Sequence, residues 1–184
     1  MKIESVRTAI KIGTFKLKDN DAKNKIYVEY LKNIPKSILT EDSARVYLFV
    51  VNGIIKKIGG SEGRGGIKST LSFYENSQTG SPGRPRFIIH LLIEKELRNG
   101  KSVDVYLIRS GKFKAKVNGL FGPKEITTSV TFKAIEEACL SDYYSVEQKY
   151  PEWNFQENHK QYPLDLEQKF NQYQQRRSNA RVND

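Results

Sequence analysis

The stretch Val46–Ser61 reads V-Y-L-F-V-V-N-G-I-I-K-K-I-G-G-S. Two apolar runs rich in β-branched residues flank Asn52-Gly53, a dipeptide suited to the left-handed conformations of a tight β-turn. The pattern predicts an antiparallel hairpin. Two registers are open. A two-residue turn pairs Val51 with Ile54 and sets Tyr47 opposite Ile58. A three-residue loop with Gly53 left-handed pairs Val50 with Ile54 and sets Tyr47 opposite Lys57. Directly opposed residues share one sheet face, so only the second register places the phenol beside the ammonium.

Downstream of the hairpin, Glu62–Gly66 is Gly-rich and Ile67–Tyr74 predicts a short helix. The loop fails as a nucleotide-binding P-loop: Lys68-Ser69 follows Ile67 where that motif needs Gly, and Glu62 stands at the upstream Gly position. Its backbone N–H groups remain suited to a phosphate, with Arg64 and Lys68 at hand. Residues 75–86 are a loop by composition, ending in Arg84 and Arg86. Phe87–Arg98 predicts a helix stopped by Asn99-Gly100. Val103–Ile108 alternates as a third core strand, and residues 109–130 predict a basic hairpin or extended excursion bearing Lys112, Lys114 and Lys116. Thr131–Tyr144 predicts an amphipathic helix with Phe132, Ile135, Cys139 and Tyr143 on its buried stripe; Glu136 lies beside that stripe and Glu137 further round.

Upstream, Val6–Leu17 alternates as one or two strands around Gly13, while Ala22–Leu31 fits a short helix or a strand. The lysines of this segment (16, 18, 23, 25, 32 and 36) suit phosphate contact or simple solvation. Residues 145–184 are Gln-rich, with Ser178–Asp184 expected to be disordered. The expected organisation is a basic arm over 1–40, a core over 44–144 and a C-terminal extension over 145–184. The expected class is α+β, with a small antiparallel sheet of about three core strands flanked by helices.

Apolar residues make up 38% and charged residues 28% of the 184, and the formal charge is +10. Residues 1–124 hold 24 Lys/Arg against 11 Asp/Glu, whereas 125–184 hold 7 against 10. A basic body fits a polyanionic partner. No apolar run approaches the ~20 residues of a membrane span, and the N-terminus lacks an apolar signal core. One cysteine, Cys139, excludes an internal disulfide and fits a reducing compartment. With one cysteine and only His90 and His159, the sequence argues against a Cys/His zinc site and against histidine-based nuclease chemistry. Glu147-Gln148-Lys149 has the letters of a nuclease E-x-K motif, but it follows a helix and precedes Pro151.

A hairpin with tyrosine on its first strand and a reactive group before Ile-Gly ten residues later resembles the GIY-YIG nucleases. The two halves read Arg45-Val46-Tyr47 and Lys57-Ile58-Gly59. Arg-Val replaces Gly-Ile, and lysine replaces the second tyrosine, as in some small type II restriction endonucleases of the superfamily. The resemblance covers roughly Ala44–Tyr144. It implies metal-dependent hydrolysis of a DNA phosphodiester, with Glu136, in preference to Glu137, holding Mg²⁺ (or Mn²⁺). It implies an arginine with a histidine four residues on, matched by Arg86 and His90; Lys68 and Arg84 compete for the phosphate-binding role. Tyr47 would be the general base or proton relay, its pKa lowered by Lys57 or the metal. Alternatively Lys57 is the base and Tyr47 orients it.

The activity so implied is that of a site-specific double-strand endonuclease in a prokaryotic cytoplasm. Arg64, Lys68, Arg84, Lys112, Lys114 and Lys116 would contact DNA. A palindromic target would call for a homodimer, and a restriction role for a cognate DNA methyltransferase. The competing readings are a non-catalytic DNA-binding module on the same fold and a structure-specific phage or repair nuclease.

Overall fold

The computed structural model describes residues 1–19 and 21–182. Its centre is the expected hairpin: β3 (Arg45–Val51) and β4 (Ile54–Ser61). The turn has two residues, with Val51 opposite Ile54. Asn52 and Gly53 both take positive φ, 45° and 79°, as a turn matching the strand twist requires. Neither expected register continues from there. A bulge separates the Val50–Ile55 pair from the Phe49–Lys57 pair, so Tyr47 falls opposite Gly59. The cause is the apolar pattern. Ile55 and Ile58, three residues apart, both pack with Val46, Leu48 and Val50. An uninterrupted strand would turn them to opposite faces, and the extra residue Lys56 reconciles them. Lys57 thereby shares the face of Phe49 and Tyr47.

Three further strands complete an antiparallel sheet. β1 (Ile10–Leu17) and β2 (Ile26–Tyr30) come from the basic N-terminal segment and β5 (Val103–Arg109) from the middle of the chain. The order is β2-β1-β5-β3-β4. The ambiguous Ala22–Leu31 stretch is thus resolved as strand. The expected three core strands are β3, β4 and β5, and the other two extend their sheet.

A one-turn helix α1 (Lys36–Thr40) precedes the hairpin, and longer helices cover both faces of the sheet. α2 (Gly66–Glu75) and α3 (Arg84–Arg98) lie on one side, where Ile67, Leu71, Ile89 and Ile93 pack with Tyr47, Phe49 and Val105. α4 (Phe132–Glu147) lies on the other, with Leu140 and Tyr143 on Val46 and Leu48. Its N-cap is Thr131, whose hydroxyl accepts from the Ala134 N–H, one of the cap roles threonine favours. β6 (Lys112–Gly119) and β7 (Gly122–Ser129) form a separate two-stranded ribbon, matching the expected basic hairpin.

The C-terminal segment contains the short helix α5 (Phe155–Asn158) and α6 (Leu164–Val182). Phe170 and Tyr173 of α6 stack on Phe87 of α3. α6 runs through Val182, over part of the segment expected to be disordered; Asn183 and Asp184 of that segment lie outside the described residues. No helix among the described residues is long and apolar enough to cross a membrane.

Both sheet edges are closed by side chains, which satisfies backbone groups that an open edge leaves bare. On β2, Glu75 Oε1 accepts from the Val28 N–H at 2.6 Å. On β4, buried Asn154 accepts from the Ile58 N–H at 2.9 Å and donates to the Ile58 carbonyl, also at 2.9 Å. Trp153 N–H donates to the Lys56 carbonyl beside them. Replacing Asn154 with Ala strands one buried donor and one buried acceptor, so Asn154→Ala should cost about 3 kcal/mol in urea unfolding. An unchanged urea midpoint would show that this clasp does not hold the edge.

Candidate active site

Two adjacent glycines on the edge strand make room for two groups from opposite layers. Gly59 lies under the Tyr47 ring: a Cβ there would sit 2.5 Å from both the Tyr47 Cζ and its hydroxyl. Gly60 points to the α4 side, where a Cβ would meet Phe132 at 2.6 Å and Glu136 Oε2 at 2.9 Å. Neither distance can accommodate a side chain without displacing its neighbour. The Gly60 N–H donates to Glu136 Oε1 at 2.8 Å, which fixes the carboxylate at the strand edge. Tyr47 from the centre of the hairpin and Glu136 from α4 thus meet across β4.

They line a cavity of about 120 Å³ together with Lys57, Tyr74 and Glu157. Its outer wall is the C-terminal segment, through Trp153, Phe155 and Tyr162. An adjoining groove of about 450 Å³ shares Tyr47, Gly60 and Tyr74 and adds Arg64, Arg86 and Phe132. Arg86 stands at the exposed first turn of α3 with its guanidinium 4.4 Å from the centre of the Phe73 ring.

The buried pair at the base of the site is Tyr47 and Tyr74, hydroxyl to hydroxyl at 2.7 Å. Burial holds the Tyr47 phenol well above its ordinary pKa, and Tyr74 adds to the effect. Tyr74 is pushed up to about 12, chiefly by burial. The Arg86 charge opposes both shifts. Burial lowers the Lys57 pKa, against the pull of Glu157 and Glu136. Burial raises Glu136, against the Gly60 N–H and Lys57. Both phenols are therefore neutral at neutral pH, and Lys57 is the group biased toward its uncharged, proton-accepting form.

The remaining sequence candidates are dispersed. His90 is fully buried and does not line the cavity or the groove. Its Nδ1 lies 2.7 Å from the Tyr74 carbonyl. A carbonyl only accepts, so Nδ1 carries the proton, and Nε2 is left without a partner. The four-residue spacing from Arg86 carries His90 one turn deeper, into the core beneath Tyr74. Arg84 is paired with Glu167 at 3.1 Å and lies over Phe170, which turns it toward α6. Lys68 is exposed on α2, outside the linings of cavity and groove. Lys112, Lys114 and Lys116 are exposed on the ribbon, with Lys114 bonded to Glu125 at 2.9 Å. Glu137 is exposed.

Sequence reasoning missed Tyr74 and Glu157. Tyr74 carried a signal, a tyrosine on the helix following the hairpin, but it read as a packing residue. Glu157 sits in the Gln-rich extension, where nothing in the local pattern marks it. The Gly59-Gly60 pair was visible, but only the three-dimensional approach of Tyr47 and Glu136 shows why both positions lack a side chain.

No family model matches the chain, and no curated protein matches it. Among solved structures it is similar to a mutant of bacteriophage T4 EndoII, with a TM-score of 0.49 and 17% identity, over 84% of this chain and 98% of that one. It is also similar to the restriction endonuclease HPY188I in complex with product DNA, with a TM-score of 0.47 and 18% identity, over 82% of this chain and 84% of that one.

Proposed function

We propose that the chain is a metal-dependent, site-specific double-strand DNA endonuclease of the type II restriction kind. The observation that carries this reading is the convergence of Tyr47, Lys57 and Glu136 on one cavity that opens into a groove bearing Arg64 and Arg86. A phenol, a lysine with a lowered pKa and a fixed carboxylate beside a groove with two arginines are groups that phosphodiester hydrolysis can use.

Glu136 would hold the metal. It supplies one carboxylate, with Oε1 engaged by the Gly60 N–H. A single carboxylate suits a hard ion that keeps most of its waters and shares phosphate oxygens, as Mg²⁺ or Mn²⁺ does. When bound, such an ion would polarise the scissile phosphate and offset charge on the departing oxygen. Arg86, with Arg64 beside it, would seat the phosphate in the groove. Tyr47, neutral and anchored by Tyr74, would orient the attacking water. Lys57, biased toward the free amine, would accept its proton as the water oxygen bonds to phosphorus and the P–O ester bond breaks. Cutting both strands of a palindrome would use two copies, hence a homodimer, and a host prokaryote would need a matching DNA methyltransferase in its cytoplasm.

The first test is long, sequenced DNA incubated with the protein in Mg²⁺ and in EDTA, beside Glu136→Ala. Discrete fragments are expected in Mg²⁺ only, with the variant reduced by about a thousandfold or more. No cleavage by the wild type, with binding intact, would leave a DNA-binding module without catalysis. Cutting confined to junctions or branches would move the substrate to structured DNA.

Arg86→Ala should lower the cleavage rate by about a hundredfold. Arg84→Ala, which loses a pair to Glu167 on the α6 side, should cut at close to the wild-type rate. The reverse pattern would reassign the phosphate contact.

The single-turnover rate should rise with pH as Lys57 loses its proton, because only the free amine accepts one. The lowered pKa shifts that rise below the range of an ordinary lysine. A Lys57→Met rate profile retaining the same rise would remove Lys57 from the role of base.

A further inference from the structure

Leu120 and Phe121 occupy the tip of the β6–β7 ribbon and are 95% and 96% exposed. The next most exposed large apolar side chain among the described residues, Leu164, is 70% exposed. Scattered surface apolar residues need no explanation, but two adjacent ones at the far end of a projecting ribbon do. Turn chemistry does not require them. Gly119 pairs with Gly122, leaving Leu120-Phe121 as a two-residue turn. Such turns favour Asn and Gly, and the chain uses that choice at Asn52-Gly53. Here the glycines flank the turn and its two central positions carry apolar bulk.

Below the tip the ribbon is cationic. Lys112, Lys114 and Lys116 alternate along β6 and so share one face; Lys124 of β7 stands opposite Val117 and so lies on the other. The methylene stem of Lys124 lies next to Gly119, directly under the turn. Glu125, the ribbon's one acid, stands opposite Lys116 on the lysine face and is bonded to Lys114, which leaves three lysines against one carboxylate there. A polyanion complements this face, whereas docking it on the same face of a second copy would oppose like charges.

We propose that the ribbon lays its lysine face along duplex DNA and inserts Leu120 and Phe121 between adjacent base pairs, unstacking them. A two-stranded ribbon fits a DNA groove, and with eight residues per strand it spans roughly 27 Å. Apolar side chains wedged into a base step are an established means of distorting the duplex. The inference rests on the reading of DNA as the substrate and adds how that DNA is deformed.

The test uses a relaxed, covalently closed plasmid with the full-length protein in EDTA, treated with a metal-independent type IB topoisomerase. A wedge unwinds the duplex, so bound wild-type protein should lower the linking number in proportion to occupancy. Leu120→Ser/Phe121→Ser should abolish that change and weaken plasmid binding about tenfold, while Leu120→Met/Phe121→Trp should retain it. Both pairs lie fully exposed, and thermal unfolding should show the fold unaltered. Wild-type binding with no change in linking number would overturn the wedge, as would a serine pair that unwinds like wild type. A serine pair that lowers the sedimentation coefficient would instead assign the tip to self-association. Cleavage in Mg²⁺ with no unwinding in EDTA defeats the wedge alone. A protein that neither binds nor cuts DNA defeats the endonuclease reading as well.

Discussion

The hydrogen bond from the Gly60 N–H to Glu136 Oε1 is the constraint on which the site depends. It joins α4 to the edge of the sheet and sets a carboxylate at the end of a strand whose other face carries Tyr47 and Lys57. The bond is possible only because position 60 lacks a Cβ, and the Tyr47 ring reaches the same strand only because position 59 lacks one. A sheet normally separates the chemistry of its two faces, since neighbouring residues point apart. At an edge strand with consecutive glycines that separation fails, and groups from both helical layers meet around the strand. Glycine weakens a strand interior by leaving nothing to pack. Here Phe132, Glu136 and Tyr47 fill the space instead.

Burial then sets the proton inventory of the site. Desolvation disfavours every charged form, so it raises the phenols and the carboxylate and lowers the ammonium. Glu157 and Glu136 both pull the Lys57 pKa upward, yet burial is the larger effect. The outcome differs from the simplest sequence expectation, in which Lys57 promotes a tyrosinate. The buried Tyr47 hydroxyl, bonded to Tyr74, holds its proton more tightly than a free phenol. These two phenols contribute stability that is fully present below the ordinary tyrosine pKa of about 10 and is lost as pH rises through their higher folded values. Below that range they form a fixed dipolar floor, and Lys57 is the cation whose charged form burial disfavours.

Much of this was legible in the chain because its signals were local. Asn52-Gly53 specified the turn, the alternation at Val103–Ile108 specified a strand, and Thr131 with a 3–4 residue apolar period specified α4. The register of the hairpin was not legible. It depends on Ile55 and Ile58 both facing α4, a requirement set by a helix some eighty residues away. The Arg86–His90 spacing is one helical turn, but spacing alone does not say how that turn is tilted. Its exposed end meets the groove and its buried end meets the Tyr74 carbonyl. Tyr74 escaped notice because a tyrosine at a core position and a tyrosine bonded to a second phenol look alike in sequence.

The C-terminal segment couples the stability of the site to its shape. Asn154 closes the backbone of Ile58, while Trp153, Phe155 and Glu157, its near neighbours, wall the cavity. Opening the site by moving this wall would strip β4 of its partners and leave buried N–H and C=O groups unpaired, at about 1–3 kcal/mol for each. The wall is therefore held shut by the same contacts that protect the sheet edge, and a phosphate has easier access from the other side. That side is the groove lined by Arg64 and Arg86, with Glu62 beside them, where the Gly-rich loop is exposed. On the proposed reading, the direction of approach follows from the cost of the alternative: a polyanion would enter over the Gly-rich loop and meet Arg86 before Tyr47.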